Sequence, residues 1–108
     1  MALKIFLSVS AQKQLEELSK YLTDHWGSES CRKFILMFDS CLETISEFPD
    51  AFPVSYKNKN LHRCIIAKQV SIFYRVKNNT IEIAFLFDNR QSPDKLGNLI
   101  KEICKFNK

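Results

Sequence analysis

The sequence predicts an α+β domain in which an antiparallel-rich, four-stranded sheet carries a helical hairpin on one face. Three observations predict it. Leu61 to Pro93 alternates apolar and polar residues in three arms, as a β-meander does. Ahead of it, two long stretches repeat apolar residues at helical spacing, and the first apolar run of the chain has period two. With 108 residues and 45% apolar content, the chain has room for one core, so a single domain over 1–108 is expected.

In Leu3 to Val9, the apolar Leu3, Ile5, Leu7 and Val9 alternate with Lys4, Phe6 and Ser8, which is a strand pattern. Ser10 then stops the strand and caps a helix from Ala11 to Trp26. Its buried stripe is Ala11, Leu15, Leu18, Leu22 and Trp26, with Gln12, Lys13, Glu16, Glu17 and Lys20 left for water. Gly27 ends this helix and Ser28 with Glu29 opens the next. That second helix runs to about Phe48 and buries Cys31, Phe34, Ile35, Phe38, Leu42, Ile45 and Phe48, until Pro49 and Pro53 forbid continuation. One short turn between two long helices makes an antiparallel hairpin, with Tyr21 and Trp26 read as its closure.

Residues Pro49 to Asn60 have the Pro, Asp, Asn and Lys content of an exposed connection, with Lys57 and Lys59 as solvated charges. The first meander arm, Leu61 to Ala67, contains Cys64, Ile65 and Ile66 in succession, as expected of a strand covered on both faces. Lys68-Gln69 turns the chain. The second arm places Val70, Ile72, Tyr74 and Val76 against Ser71, Phe73 and Arg75, and Asn78-Asn79 tolerates the positive φ of a two-residue turn. In the third arm, Ile81, Ile83, Phe85 and Phe87 form one strongly apolar side, opposite Thr80, Glu82, Ala84 and Leu86. Ser92-Pro93 then starts a last helix with the stripe Leu96, Leu99, Ile100, Ile103 and Phe106, so residues 97–108 form a C-terminal helical extension. This stripe either covers the other face of the sheet or awaits a partner helix. The order is β-α-α-β-β-β-α.

A net charge of +4 favours an acidic partner protein or RNA. Apolar runs fall well short of the roughly 20 residues a membrane span needs, and Met1 to Ser10 lacks the long apolar core of a signal peptide, which predicts a cytoplasmic protein. Cys31, Cys41, Cys64 and Cys104 show no CxxC pairing and no His at ligand spacing; they read as small buried hydrophobes, and no metal or cofactor is expected.

The element order, taken with Tyr21-Leu22 to Trp26-Gly27, Phe48-Pro49, Leu61-His62-Arg63, Ile72 to Val76 and Phe87 to Pro93, resembles the RelE/ParE toxin superfamily over about residues 3 to 96. The ParE branch is the more similar, through the strand ending Arg75-Val76 and the last strand that closes on an Arg and a Pro. The resemblance implies the toxin of a bacterial type II toxin–antitoxin pair, neutralised by a cognate antitoxin and acting on DNA gyrase as ParE relatives do. RelE relatives instead cut messenger RNA on the ribosome. That chemistry needs a proton acceptor, a proton donor and cations at the phosphate. Here the position corresponding to a phosphate-contacting arginine of those relatives is Ser71, and Gln91 to Leu96 holds neither Tyr nor His. The catalytic candidates are therefore Arg90, Arg63 and His62.

Arg63 and Arg75 read either as solvent-facing strand residues with Glu82 as cross-strand partner or as phosphate ligands. Arg90 matches the family's Arg position, with Asp88 as its alternative, an ion-pair partner two residues earlier. Target or antitoxin contact is assigned to Arg90, Arg75, Leu96, Leu99, Ile100 and Ile103. His62, Arg63, Arg75 and Arg90 are a poor set for a nuclease, so the reading is a toxin that works by binding a protein such as gyrase, with a ribosome-dependent endoribonuclease and a non-toxic relative that binds an antitoxin as the alternatives.

Overall fold

The computed structural model describes residues 2–54, 60–67 and 70–88. Its elements are β1 (Lys4–Leu7), α1 (Val9–Trp26), α2 (Ser28–Glu47), β2 (His62–Ala67), β3 (Val70–Lys77) and β4 (Thr80–Asp88). They build a four-stranded sheet in the order β1-β4-β3-β2. The sheet is mixed: β2, β3 and β4 form the antiparallel meander, while β1 joins β4 in parallel, with Ile5 beside Ile81 and Leu7 beside Ile83. The expected final helix, the Lys68-Gln69 corner, Lys57, Lys59 and Cys104 lie outside the described residues.

The strand-to-helix junction falls earlier than the alternation predicts. Ser8, not Ser10, is the N-cap: its Oγ accepts from the Ala11 N–H at 3.0 Å, satisfying one of the donors a helix start leaves open. The same hydroxyl donates to the Ala84 carbonyl at 2.6 Å, and the Ser8 N–H reaches the Ile83 carbonyl at 3.0 Å. Val9 is consequently the first residue of α1 and 83% exposed, rather than the last inward residue of a strand. At the other end of β1, Leu3 N–H donates to the Ser46 carbonyl and Ser46 Oγ to the Leu3 carbonyl, tying the strand to the end of α2.

Gly27 joins the helices at φ 91° and ψ 166°, a conformation open essentially to glycine alone. Ala11 is fully buried in α1, and Leu15, Leu18 and Leu22 pack on the core below it. Trp26, in the last turn, is 69% exposed and closes nothing; Tyr21 is also exposed and stacks on His25 with ring centroids 4.2 Å apart. In α2 the buried residues are Phe34, Phe38 and Ile45, supported by Ile35 and Leu42. Phe48 is past the helix end and exposed, because the chain leaves the hairpin there to enter Pro49.

The core between hairpin and sheet is completed by Cys64, Ile66, Val70, Ile72, Tyr74, Ile81, Ile83 and Leu86. A second cluster of Leu61, Phe73, Ala84, Phe85 and Phe87 lies on the sheet's other side. The predicted apolar side of β4 is thus divided between two faces. Phe73 pairs with Phe85 but Tyr74 pairs with Ile83, so Ala84 is an extra residue that reverses the facing of everything after it. Ile81 and Ile83 face the helices, whereas Phe85 stacks on Phe73 at 4.7 Å on the far side. Strand β2 also departs from expectation. It is an edge strand, and Ile65 is 60% exposed between buried Cys64 and Ile66. At the β3–β4 turn, Asn78 and Asn79 adopt φ of 52° and 62°, as a two-residue hairpin of right-handed twist requires.

Candidate functional site

Side chains alternate along a strand, so neighbours on β2 serve opposite faces. His62 turns toward the helical layer. Its ring stacks on Tyr74 with centroids 5.0 Å apart, and Nδ1 donates to the Phe52 carbonyl at 2.8 Å. Tyr74, fully buried, donates its hydroxyl to the Pro49 carbonyl at 2.7 Å, and burial holds that hydroxyl well above the ordinary phenol range. These bonds fasten the chain leaving α2 onto the sheet. His62 therefore serves that fastening, and its side chain lies on the opposite face of the sheet from that of Arg63.

Arg63 projects from the far face. Its Nε donates to Ser71 Oγ at 3.1 Å, and its guanidinium carbon sits 5.6 Å from the centre of the Phe73 ring, within the range of cation–π attraction. Ser71 is completely buried. The position at which the resemblance leads one to look for an arginine thus holds a serine, and a guanidinium comes to it from the neighbouring strand. Arg75 lies on the same face and is held by Glu82, with Nη2 to Oε1 at 2.5 Å and Nε to Oε1 at 2.7 Å. The two side chains are only 17% and 20% exposed, so this pair is far better shielded from water than Arg32 with Glu29 on α2, at 62% and 64%. The cross-strand pairing with Glu82 expected of the arginines thus belongs to Arg75 and not to Arg63.

Of the three catalytic candidates, Arg63 and His62 are on opposite faces, and Arg90 lies outside the described residues together with Leu96, Leu99, Ile100 and Ile103. Among the described residues no group of three or more His, Cys, Asp or Glu side chains is arranged to hold a metal ion, and no helix is long and apolar enough to cross a membrane.

A groove of about 260 Å³ opens between α1 and the end of the meander, lined by Gln14, Glu17, Leu18, Val70, Leu86, Phe87 and Asp88. Gln14 Oε1 accepts from the Leu86 N–H at 2.8 Å, capping β4 where β1 has already ended. Sequence reading missed this role. A Gln between the apolar and charged stripes of a helix gives no sign that it will complete a sheet edge.

A four-stranded mixed sheet under a helical hairpin is the architecture of the RelE/ParE-like toxins, and the chain has the fold of that superfamily. Within it, the sequence model of the ParE toxin of the type II toxin–antitoxin system parDE matches residues 5–93, and the chain belongs to that family. No curated protein sequence matches significantly.

Solved structures share the fold. One is the chromosomal ParDE toxin–antitoxin system from P. aeruginosa, with a TM-score of 0.70, 12% identity, and coverage of 81% of this chain and 96% of that one. A second is the E. coli DinJ–YafQ toxin–antitoxin complex, with a TM-score of 0.60, 8% identity, and coverage of 83% and 96%. A third is a copper-bound mutant toxin from Helicobacter pylori, with a TM-score of 0.58, 21% identity, and coverage of 82% and 96%.

Proposed function

We propose that the protein is the toxin of a type II toxin–antitoxin pair, that it works in the cytoplasm by binding a protein target such as DNA gyrase, and that a cognate antitoxin neutralises it. The observation that carries this reading is the divergence of His62 and Arg63. Strand geometry sends the only histidine of the meander to one face and the arginine beside it to the other, and the His62 ring is already engaged by Tyr74 and the Phe52 carbonyl. General acid–base cleavage needs the proton-transferring groups within hydrogen-bond reach of one substrate. Membership in the ParE family and the sequence after Arg90, which lacks Tyr and His through Leu96, support the same choice.

Two reactions test it: supercoiling by gyrase and translation with labelled messenger RNA. Purified protein should inhibit supercoiling and leave the messenger intact. Cleaved messenger in the wild type that becomes uncut in Arg90→Ala would overturn the reading in favour of a ribosome-dependent endoribonuclease. Inactivity in both reactions would favour a non-toxic relative that retains antitoxin binding.

A further inference from the structure

We propose that Cys41 of α2 and Cys64 of β2 are a reversible disulfide site, closed by hydrogen peroxide and reopened by thiol reductants. Both are free thiols in this structure. Two sequence patterns bring them together. The buried side of α2 runs through Phe34, Phe38 and Ile45, and Cys41 falls between the last two, packed against the core. Cys64 lies on the face of β2 that meets the helices, two residues before buried Ile66. The two side chains share a hydrogen bond, so their sulfurs need only close from that contact to the roughly 2 Å of a disulfide. Cys31, in the first turn of the same helix, is about 15 Å from Cys41 along the axis and out of reach of Cys64.

The pair is asymmetric, and the asymmetry orders the steps. Cys41 is partly exposed, whereas Cys64 is 1% exposed and burial keeps its thiol protonated. Peroxide therefore meets Cys41 first. The Cys41 sulfur attacks one peroxide oxygen, the O–O bond breaks, and the thiol proton leaves with the departing hydroxide as water, giving a sulfenic acid. The Cys64 sulfur then attacks the Cys41 sulfur, the S–O bond breaks, and the leaving hydroxide takes the Cys64 proton as a second water. Two thiols are oxidised by two electrons while one peroxide is reduced to two waters. Conversion of Cys41 also removes the neighbouring thiol that helps to hold the Cys64 proton, which eases the second step.

The bond joins the helical hairpin to the edge of the sheet, across the stretch of chain that leaves α2 through Pro49. It stabilises the fold by closing the loop from residue 41 to residue 64 in the unfolded chain. In a reducing compartment such a bond forms under peroxide and is returned to two thiols by a reductant such as glutathione, which is itself oxidised to its disulfide. The site is independent of which target or antitoxin the protein meets.

The test treats the reduced full chain with hydrogen peroxide, blocks remaining thiols with iodoacetamide, and maps tryptic peptides by mass without reduction. Cleavage separates residues 34–57, which carry Cys41, from residues 64–68, which carry Cys64, so the bond is read as a joined pair of peptides. That pair should be the main product, its rate of formation should be unchanged by about tenfold dilution of the protein, and dithiothreitol should undo it. The linked chain should have a higher urea midpoint than the reduced one. Cys41→Ser should leave Cys64 unoxidised, and Cys64→Ala should stop Cys41 at a sulfenic acid that dimedone traps. Should either variant fail to fold, the map of the unaltered chain still decides. Cys41 left as a sulfenic or sulfinic acid beside reduced Cys64, or linked to Cys31, Cys104 or a second chain, would overturn the proposal. So would a linked chain less stable than the reduced one, or no reaction of either thiol.

Discussion

The buried Cys64 thiol shows how one side chain makes the fold sensitive to alkali. Burial, with the neighbouring Cys41 thiol adding to it, pushes Cys64 from 9.0 up to about 12. A raised value means that the folded state keeps its proton where the unfolded chain has lost one. The stabilisation is therefore complete below pH 9 and falls as pH rises from about 9 toward 12. Tyr74, also shifted upward by burial, acts in the same direction above about pH 10, the ordinary phenol value. Urea midpoints measured across this range should drop, and Cys64→Val should remove the part that begins near pH 9 and lessen the part due to Tyr74, to whose upward shift the Cys64 charge adds. An unchanged alkaline slope in that variant would mean that the thiol is not responsible. At this scale the sequence was informative about burial and uninformative about partners. Cys64 read correctly as a small buried hydrophobe, whereas nothing in Leu61-His62-Arg63 announces that Arg63 will bond Ser71 eight residues later.

Among elements, the helices were legible because Leu15, Leu18, Leu22, Phe34, Phe38 and Ile45 repeat at a spacing only one conformation can bury together. Their ends were less so. Ser8 and Ser10 are equally good caps by type, and the choice is made by tertiary structure, since only Ser8 can also donate to the Ala84 carbonyl. Ser8→Ala removes both bonds and should destabilise the fold by about 1–2 kcal/mol, whereas Ser10→Ala should be nearly neutral. Comparing the two urea midpoints checks this. Strand β4 was recognised as a strand, but its facing was misread for a physical reason. One extra residue at Ala84 inverts a period-two pattern, and both the true and the apparent pattern place large apolar residues at Phe85 and Phe87. Strand β2 was misread through the same ambiguity: an exposed Ile65 at a bulged edge is indistinguishable, in sequence, from a strand buried on both faces.

For the whole molecule, the order of elements was legible and the closure of the sheet was only half so. The need for β1 to pair with a distant strand follows from the chain, but its parallel placement beside β4, with hairpin contacts at both of its ends, is a property of the assembled fold. That placement makes β4 a central strand with a neighbour on each side, although it is the last strand in sequence among the described residues. A fragment ending at Asn79 keeps β1, both helices, β2 and β3, yet it leaves Lys4 to Leu7 without a ladder and the hairpin without Ile81, Ile83 and Leu86 beneath it. It should show no cooperative urea transition, and a sharp transition in that fragment would contradict the central role given to β4. A consequence follows for biosynthesis. Since the strand that unites the two ends of the sheet leaves the ribosome after the other three, a nascent chain has no finished surface with which to engage a target until its synthesis is well advanced. On the toxin reading proposed above, an antitoxin made beforehand would meet the folded chain at the moment it comes into being.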